Sequence, residues 1–190
     1  MFRIEWTAHE PKPRAEVDEL YEALLESVAI DGPHPFAVLV CAAQLLETRY
    51  AVARLVGYAD REPTLDCRDI VEFFTGMDEA LEALERRRTG MLEFYPASAA
   101  EYIVFDAAGE RVRLFRVPWR EVSGTDIEGP LPRRITAHPE AACDRSALTG
   151  HLEDLRREFA RAAIERDPRL AGHEPLRRWS LGDSRGDRPA

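Results

Sequence analysis

Between Asp66 and Val117 the spacing of apolar positions changes period once, and that change predicts a helix followed by three short strands. Ile70, Phe73, Phe74, Met77, Leu81 and Leu84 fall at i, i+3, i+4, i+7, i+11 and i+14, which is one apolar stripe on an α-helix. Asp66 is the expected N-cap, with Asp69 three residues on, where a carboxylate reaches back to the open backbone amides. Gly90 is the expected stop, and Arg86, Arg87 and Arg88 crowd the last turn, where cations suit the carbonyl end. Gly76 in mid-helix costs about 1 kcal/mol against alanine and predicts a close packing contact.

Met91 to Tyr95, Glu101 to Ala107 and Arg111 to Val117 are short runs of β-formers separated by Pro96-Ala97-Ser98 and Ala108-Gly109, a meander. Pairing Ala107 with Glu110 sets Phe105 opposite Val112 and Ile103 opposite Leu114 on an apolar face. The other face then carries Tyr102 opposite Phe115, Val104 opposite Arg113 and Asp106 opposite Arg111, a mixed surface.

Elsewhere, Phe2 to Ala8 alternates as a half-buried strand that could join the meander. Ala15 to Ile30 reads as a helix with Val17, Leu20, Tyr21, Leu24 and Val28 inward, stopped by Asp31-Gly32-Pro33. Phe36 to Val56 could begin as a buried strand. Pro35 suits a first helical turn, Gly57 a C-cap, and Leu39, Ala43, Leu46, Tyr50 and Ala53 one stripe, so a single central helix is expected. Four prolines and two glycines between Pro118 and Asp144 predict a long surface loop. Ala147 to Arg166 returns to a helix with Leu148, Leu152, Leu155, Phe159 and Ala163 inward; Pro168 closes it, and Glu174 to Trp179 suits a short helical turn. The expected fold is α+β: an antiparallel three- to four-stranded meander packed on one face by about four helices. It forms a single globular domain over 1–180 with a disordered tail at 181–190.

Composition narrows the function classes. The chain has 190 residues, is 45% hydrophobic and carries a formal charge of −9, which argues against a duplex-binding surface. Lys12 is the one lysine among 26 basic residues, a bias that coding composition explains without phosphate contacts. Residues 1–90 hold 18 acids against 10 bases. From Ala15 to Thr48 there are seven acids and no base: Glu16, Asp18, Glu19, Glu22, Glu26, Asp31 and Glu47. A basic partner would be drawn to that half. No apolar run is long enough to span a bilayer and the first residues do not read as a signal peptide, so a cytoplasmic location is expected.

The sequence lacks most recognisable catalytic and metal-binding patterns. Cys41, Cys67 and Cys143 form no CxxC pair, and four of the five histidines (His9, His34, His138 and His173) fall within two residues before a proline, in loops. His138, Cys143 and His173 have no paired-ligand spacing, so neither a metal nor another cofactor is expected. His151 is expected at the edge of the core. No nucleophile elbow, Walker loop or dinucleotide turn occurs, and no catalytic residue is assigned. Cys67 beside Arg68 at a helix N-terminus is the one thiol whose pKa the local field could lower. Asp78 and Glu82 read as solvating charges. Trp119 and Trp179 either anchor an interface or cap the core.

As an ordered set, the Ile70-Val71-Glu72-Phe73-Phe74 helix, the Leu92-Glu93-Phe94-Tyr95 strand, the hairpin and the Leu155-Arg156-Arg157-Glu158-Phe159 helix resemble small uncharacterised α+β proteins of actinomycetes and similar bacteria. Some of those resemble immunity proteins, which neutralise a cognate toxin. The likeness spans roughly residues 66–167 and carries over no site residue. Together with the acidic N-terminal half, it points to a non-enzymatic interaction protein, an immunity-like inhibitor that meets a protein partner with a basic surface. The candidate contacts are Glu16, Glu19, Glu22, Glu26, Tyr102, Phe115 and Trp119. The alternative is a small-molecule-binding protein or enzyme with a pocket between helices and sheet, and a third reading is a homo-oligomer joined through a strand edge.

Overall fold

In the 35–46 segment nearly every position is apolar, and the structure buries it accordingly. This computed structural model describes residues 3–6, 12–29, 32–47, 52–56, 64–94, 101–122 and 141–182. Tyr50, Gly57, Tyr95, His9, His138, Asp31 and residues 183–190 lie outside the described residues. Two helices, α1 (Arg14–Glu26) and α2 (Pro35–Leu46), follow the N-terminal strand and are joined through a small antiparallel hairpin of β2 (Val28–Ala29) and β3 (Gly32–Pro33). Val28, expected at the end of the first helix, therefore belongs to a strand. Pro35 occupies the first turn of α2, and Val38, Leu39, Cys41, Ala42, Ala43, Leu45 and Leu46 are buried, the central helix that the pattern predicts.

That helix does not run to Val56. It ends at Leu46, with Glu47 in extended backbone, and β4 (Ala53–Val56) pairs antiparallel with β1 (Arg3–Trp6) and with β5 (Thr64–Leu65). The N-terminal strand thus joins this separate three-stranded sheet, order β1-β4-β5, and not the meander. Arg54 bonds Glu5 across the pair at 3.0 Å.

The Asp66–Gly90 stretch is two helices, α3 (Cys67–Thr75) and α4 (Met77–Glu85), hinged at Gly76. Asp66 and Asp69 close a reciprocal capping box at 2.9 and 3.0 Å. Gly76 has no close neighbour: a β-carbon there would find only the Glu72 carbonyl oxygen, 4.0 Å away, so the expected packing contact is absent. Gly90 is not the cap either. Arg87 takes the left-handed conformation (φ 55°), with Arg88 N–H on the Ala83 carbonyl and Arg87 N–H on the Leu84 carbonyl, a Schellman end built on arginine. Gly90 instead sits in β6 (Thr89–Phe94), where a methyl group would collide with the Phe105 ring and come within 2.8 Å of Ala83.

The meander is present as β6, β7 (Glu101–Asp106) and β8 (Arg111–Pro118). A fourth strand, β9 (Ala141–Asp144), extends it on the far side of β8, from within the segment expected to be all loop. Phe105 pairs with Leu114 and Asp106 with Arg113, two residues off the expected register. The cause is local: Asp106 Oδ1 accepts the Ala108 N–H at 3.1 Å, which widens the connection beyond a tight turn at Gly109. Because the slip is two residues, every side chain keeps its face. Leu92, Ile103, Phe105, Val112 and Leu114 enter the main core, against Phe73, Met77 and Leu84 from α3 and α4.

The other face is not a mixed open surface. Tyr102, Val104, Phe115 and Val117 form a second buried cluster with Val122 of α5 (Trp119–Val122) and Met91 at its edge. Helix α6 (Arg145–Arg166) buries Leu148, Leu152, Leu155, Phe159 and Ala163 as its pattern predicts. A 3-10 turn at Pro168–Gly172 and α7 (Leu176–Leu181) follow, with Gly182 as a left-handed cap, so Leu181 and Gly182 belong to the fold and not to a tail. Four rings lock β1, α3, α6 and α7 together: Phe74 stacks on Phe159 at 4.3 Å, and Trp6 and Trp179 lie 6.4 and 5.8 Å from Phe74.

Candidate functional site

The acidic run from Ala15 to Thr48 divides in the structure. Lys12 pairs with Glu16, and Asp18 is held by Arg14 at 3.0 Å and by Arg169 at 2.9 Å. Glu19, Glu22 and Glu26 are exposed, and among the described residues no cation pairs with them. They fall at i, i+3 and i+7, opposite the Val17, Leu20 and Leu24 side that faces α2, so they form one uncompensated strip. Cys41 Sγ lies 3.7 Å from the Leu20 carbonyl oxygen, which fits an antiparallel α1–α2 pair and brings the last turn of α1 near the first turn of α2. Leu25, 43% exposed, shares that end with Phe36, 49% exposed.

Two other expected contacts, Tyr102 and Phe115, do not join this strip. Tyr102 and Phe115 are 7% and 1% exposed inside the second cluster, where their apolar surface is already used, so they present no contact surface. Trp119 opens α5, and its side chain lies outside the described residues. Trp179 is 3% exposed and closes the core, which removes it as an exposed interface anchor.

The first turn of α2, the α3–α4 joint and α7 enclose a cleft of about 620 Å3 that opens to solvent. Phe36 and Leu181, the latter 71% exposed, stand in its lining with Leu39, Phe74, Pro175 and Trp179. Asp78 and Arg178 in its lining belong to an ion group that joins three helices. Asp78 of α4 accepts from Arg156 of α6 at 2.5 Å and from Arg178 of α7 at 2.6 Å, so one carboxylate serves two guanidinium groups. Arg156 is 5% exposed and lies 5.6 Å from the centre of the Trp179 ring. Burial pulls its pKa below the ordinary arginine value, Asp78 opposes that pull, and Arg178 adds to it. Arg156 Nε, Arg178 Nε and Trp179 Nε1 are shut off from solvent and carry no hydrogen-bond partner. On the far side of Asp78 a broader polar depression of about 1070 Å3 runs along α4 and the start of α6, with Glu82, Glu85 and Glu153 among its walls.

Asp78 is therefore an ion-pair centre and not a solvating charge, while Glu82 pairs with Arg86 at 2.9 Å. The sequence carried one sign of this group. Arg156 falls within the apolar stripe of α6, between Leu152, Leu155 and Phe159, where a charge needs a buried partner. Phe36 and Leu181 gave no sign, since nothing in their local pattern separates an exposed apolar residue from a core one.

Cys67 is half-buried at the start of α3. Its thiol is pushed up to about 12 by burial, with Glu47 and Asp66 raising it further, so the helix end does not activate it. Burial likewise pushes the Cys41 thiol up to about 11. His173 shares a hydrogen bond of 3.0 Å with the Tyr21 hydroxyl, beside the Arg169 guanidinium stacked 4.0 Å from the Tyr21 ring, an arrangement that ties α1 to the 3-10 turn. Among the described residues no group of three or more His, Cys, Asp or Glu is placed to hold a metal ion, and no helix is long and apolar enough to cross a membrane. The fold and surface define an α+β protein with an acidic helix face and an amphipathic cleft. No protein-family model, no curated protein and no solved structure matches the chain.

Proposed function

We propose that the protein is a non-enzymatic interaction protein, most concretely an immunity-like inhibitor, whose α1 face meets a protein partner with a basic surface. The observation that carries the reading is the strip of Glu19, Glu22 and Glu26, exposed and without counter-ions among the described residues, whereas their neighbours Glu16 and Asp18 are neutralised within the chain. Uncompensated charge on a rigid helix speeds and orients the encounter with an oppositely charged patch. Exposed Leu25 at the same end supplies apolar surface for a contact. The overall charge of −9 disfavours nucleic acid as the partner. The alternative of a pocket between helices and sheet has less support, because Leu84, Leu92 and Phe105 fill that interface at 0% exposure.

The test is capture by the purified protein from a lysate of its own host at low salt, followed by identification and affinity measurement. Reversing Glu19, Glu22 and Glu26 to lysine should weaken the identified complex by at least about tenfold and flatten its salt dependence. These exposed positions leave the core intact, so circular dichroism should be unchanged. A complex indifferent to the triple reversal sinks the charge argument.

A further inference from the structure

We propose, resting on the reading of α1 as the partner-facing helix, that the glutamate strip of α1 and the cleft beside α2 form one docking surface for a basic amphipathic helix of the protein partner. Aliphatic side chains of that helix enter the cleft against Phe36 and Leu181, and its lysine- or arginine-bearing flank lies along α1.

Leu25, Phe36 and Leu181 are the large apolar side chains that stand exposed among the described residues, and all three border this surface. Phe36 and Leu181 stand in the cleft wall. Leu25 lies on the flank of α1 that is turned towards it. Tyr21, one helical turn earlier on the same flank, shares a hydrogen bond of 3.0 Å with His173 Nε2, and the next two residues, Glu174 and Pro175, line the cleft. The β2–β3 hairpin sets Val28 opposite Pro33, which holds the end of α1 beside the start of α2. Glu22 and Glu26 flank Leu25 on the α1 surface, so the acidic and apolar parts are contiguous.

Charge decides the occupant. Inside the cleft Glu174 pairs with Arg177 at 2.5 Å and Asp78 with Arg178 at 2.6 Å, so its wall favours apolar side chains over an ion of either sign. Glu19, Glu22 and Glu26 are answered by no cation among the described residues. A segment that fills both regions is therefore apolar on one side and cationic on the side next to it. A helix has that arrangement, with anchors at i, i+3, i+4 and i+7 and charges on the neighbouring flank. An alternating strand instead turns its cations directly away from its apolar side chains. Glu19 to Glu26 span about 10 Å along α1, at roughly 1.5 Å per residue, the separation of cations two turns apart on a second helix. The cleft, about 620 Å3 and open to solvent, has the volume for the aliphatic anchors.

The full chain is titrated, by fluorescence anisotropy, with a labelled leucine–lysine peptide of about 18 residues patterned for an amphipathic helix. A peptide of the same composition with strictly alternating leucine and lysine is the control. The helical pattern should saturate one site and bind at least about tenfold tighter than the control. Phe36→Ser combined with Leu181→Ser, both at exposed positions, should weaken it at least about tenfold at unchanged circular dichroism. Reversal of Glu19, Glu22 and Glu26 to lysine should weaken it by a similar factor and flatten its salt dependence. Equal binding of the two peptides, or binding unmoved by either set of substitutions, overturns the proposal. The same variants are then measured against the partner captured from host lysate. A complex weakened by the charge reversal and indifferent to the serine pair overturns the shared docking surface and leaves the α1 reading standing; indifference to the reversal overturns both.

Discussion

Gly90 shows how a residue's meaning depends on which neighbour reaches it. In the sequence it stands where a helix should stop; in the structure the stop is Arg87, and Gly90 is the point where β6 comes close enough for Phe105 and Ala83 to leave no room for a β-carbon. Gly90→Ala should therefore destabilise the protein by about 1–3 kcal/mol, read as an earlier denaturation midpoint at unchanged slope, because Phe105 is packed on all sides and cannot yield cheaply. Asp69 carries a second cost. Burial raises its carboxyl to about 7, with the Asp66 N–H opposing the rise and the Asp66 and Glu72 charges adding to it. Across pH 4 to 7 the folded protein keeps a proton that the unfolded chain, titrating near the ordinary ~3.9, has released, so this group makes stability fall as pH rises through that window. Asp69→Asn, which can still accept the Asp66 N–H, should gain on the parent by on the order of 2 kcal/mol between pH 5 and pH 8. Thermal melts at the two pH values measure the difference, and an equal offset at both would refute it.

Among elements, those with a full apolar stripe were legible. The cap at Asp66, the buried faces of α2 and α6, and the three strands of the meander stand where their periodicities put them. What was not legible depended on partners distant in sequence. Ala53–Val56 continues the helical stripe of α2 and becomes a strand because β1 and β5 supply its hydrogen bonds. Ala141–Asp144 has little strand propensity and is held by β8. The hairpin register was set by one side-chain bond, Asp106 to the Ala108 N–H, which no count of apolar residues reports. The α3–α4 joint invites a direct test. Gly76 has φ −80° and open space around it, so alanine fits without strain and reduces the freedom of the unfolded chain. Gly76→Ala should raise stability by about 0.4–1 kcal/mol, measured as a higher denaturation midpoint; a loss would mean that the joint must flex to fold.

At the scale of the whole molecule, the acidic half predicted from composition survives in reduced form. Internal arginines and Lys12 neutralise part of it, and three glutamates on α1 remain. Composition gives the charge of a segment, whereas the residual field depends on cations arriving from elsewhere: Arg169 lies 151 residues beyond Asp18. The aromatic candidates failed for a related reason. Tyr102 and Phe115 are counted by pattern on the outward face of a sheet, but α5 covers that face, and pattern along two strands does not report what a later helix will do. The cleft and its ion group assemble from α2, α4, α6 and α7 and could not have been found within any one of them.

Phe74 is touched by Trp6 from the first described strand and by Trp179 from the last described helix. A ring in the middle of the chain is thus sealed by residues 68 positions before it and 105 after it. Such closure delays the reward for the early helices until distant segments have met, which slows folding and ties the two ends into one cooperative unit. A fragment missing either Trp6 or Trp179 leaves one side of Phe74 bare, whatever helices it retains.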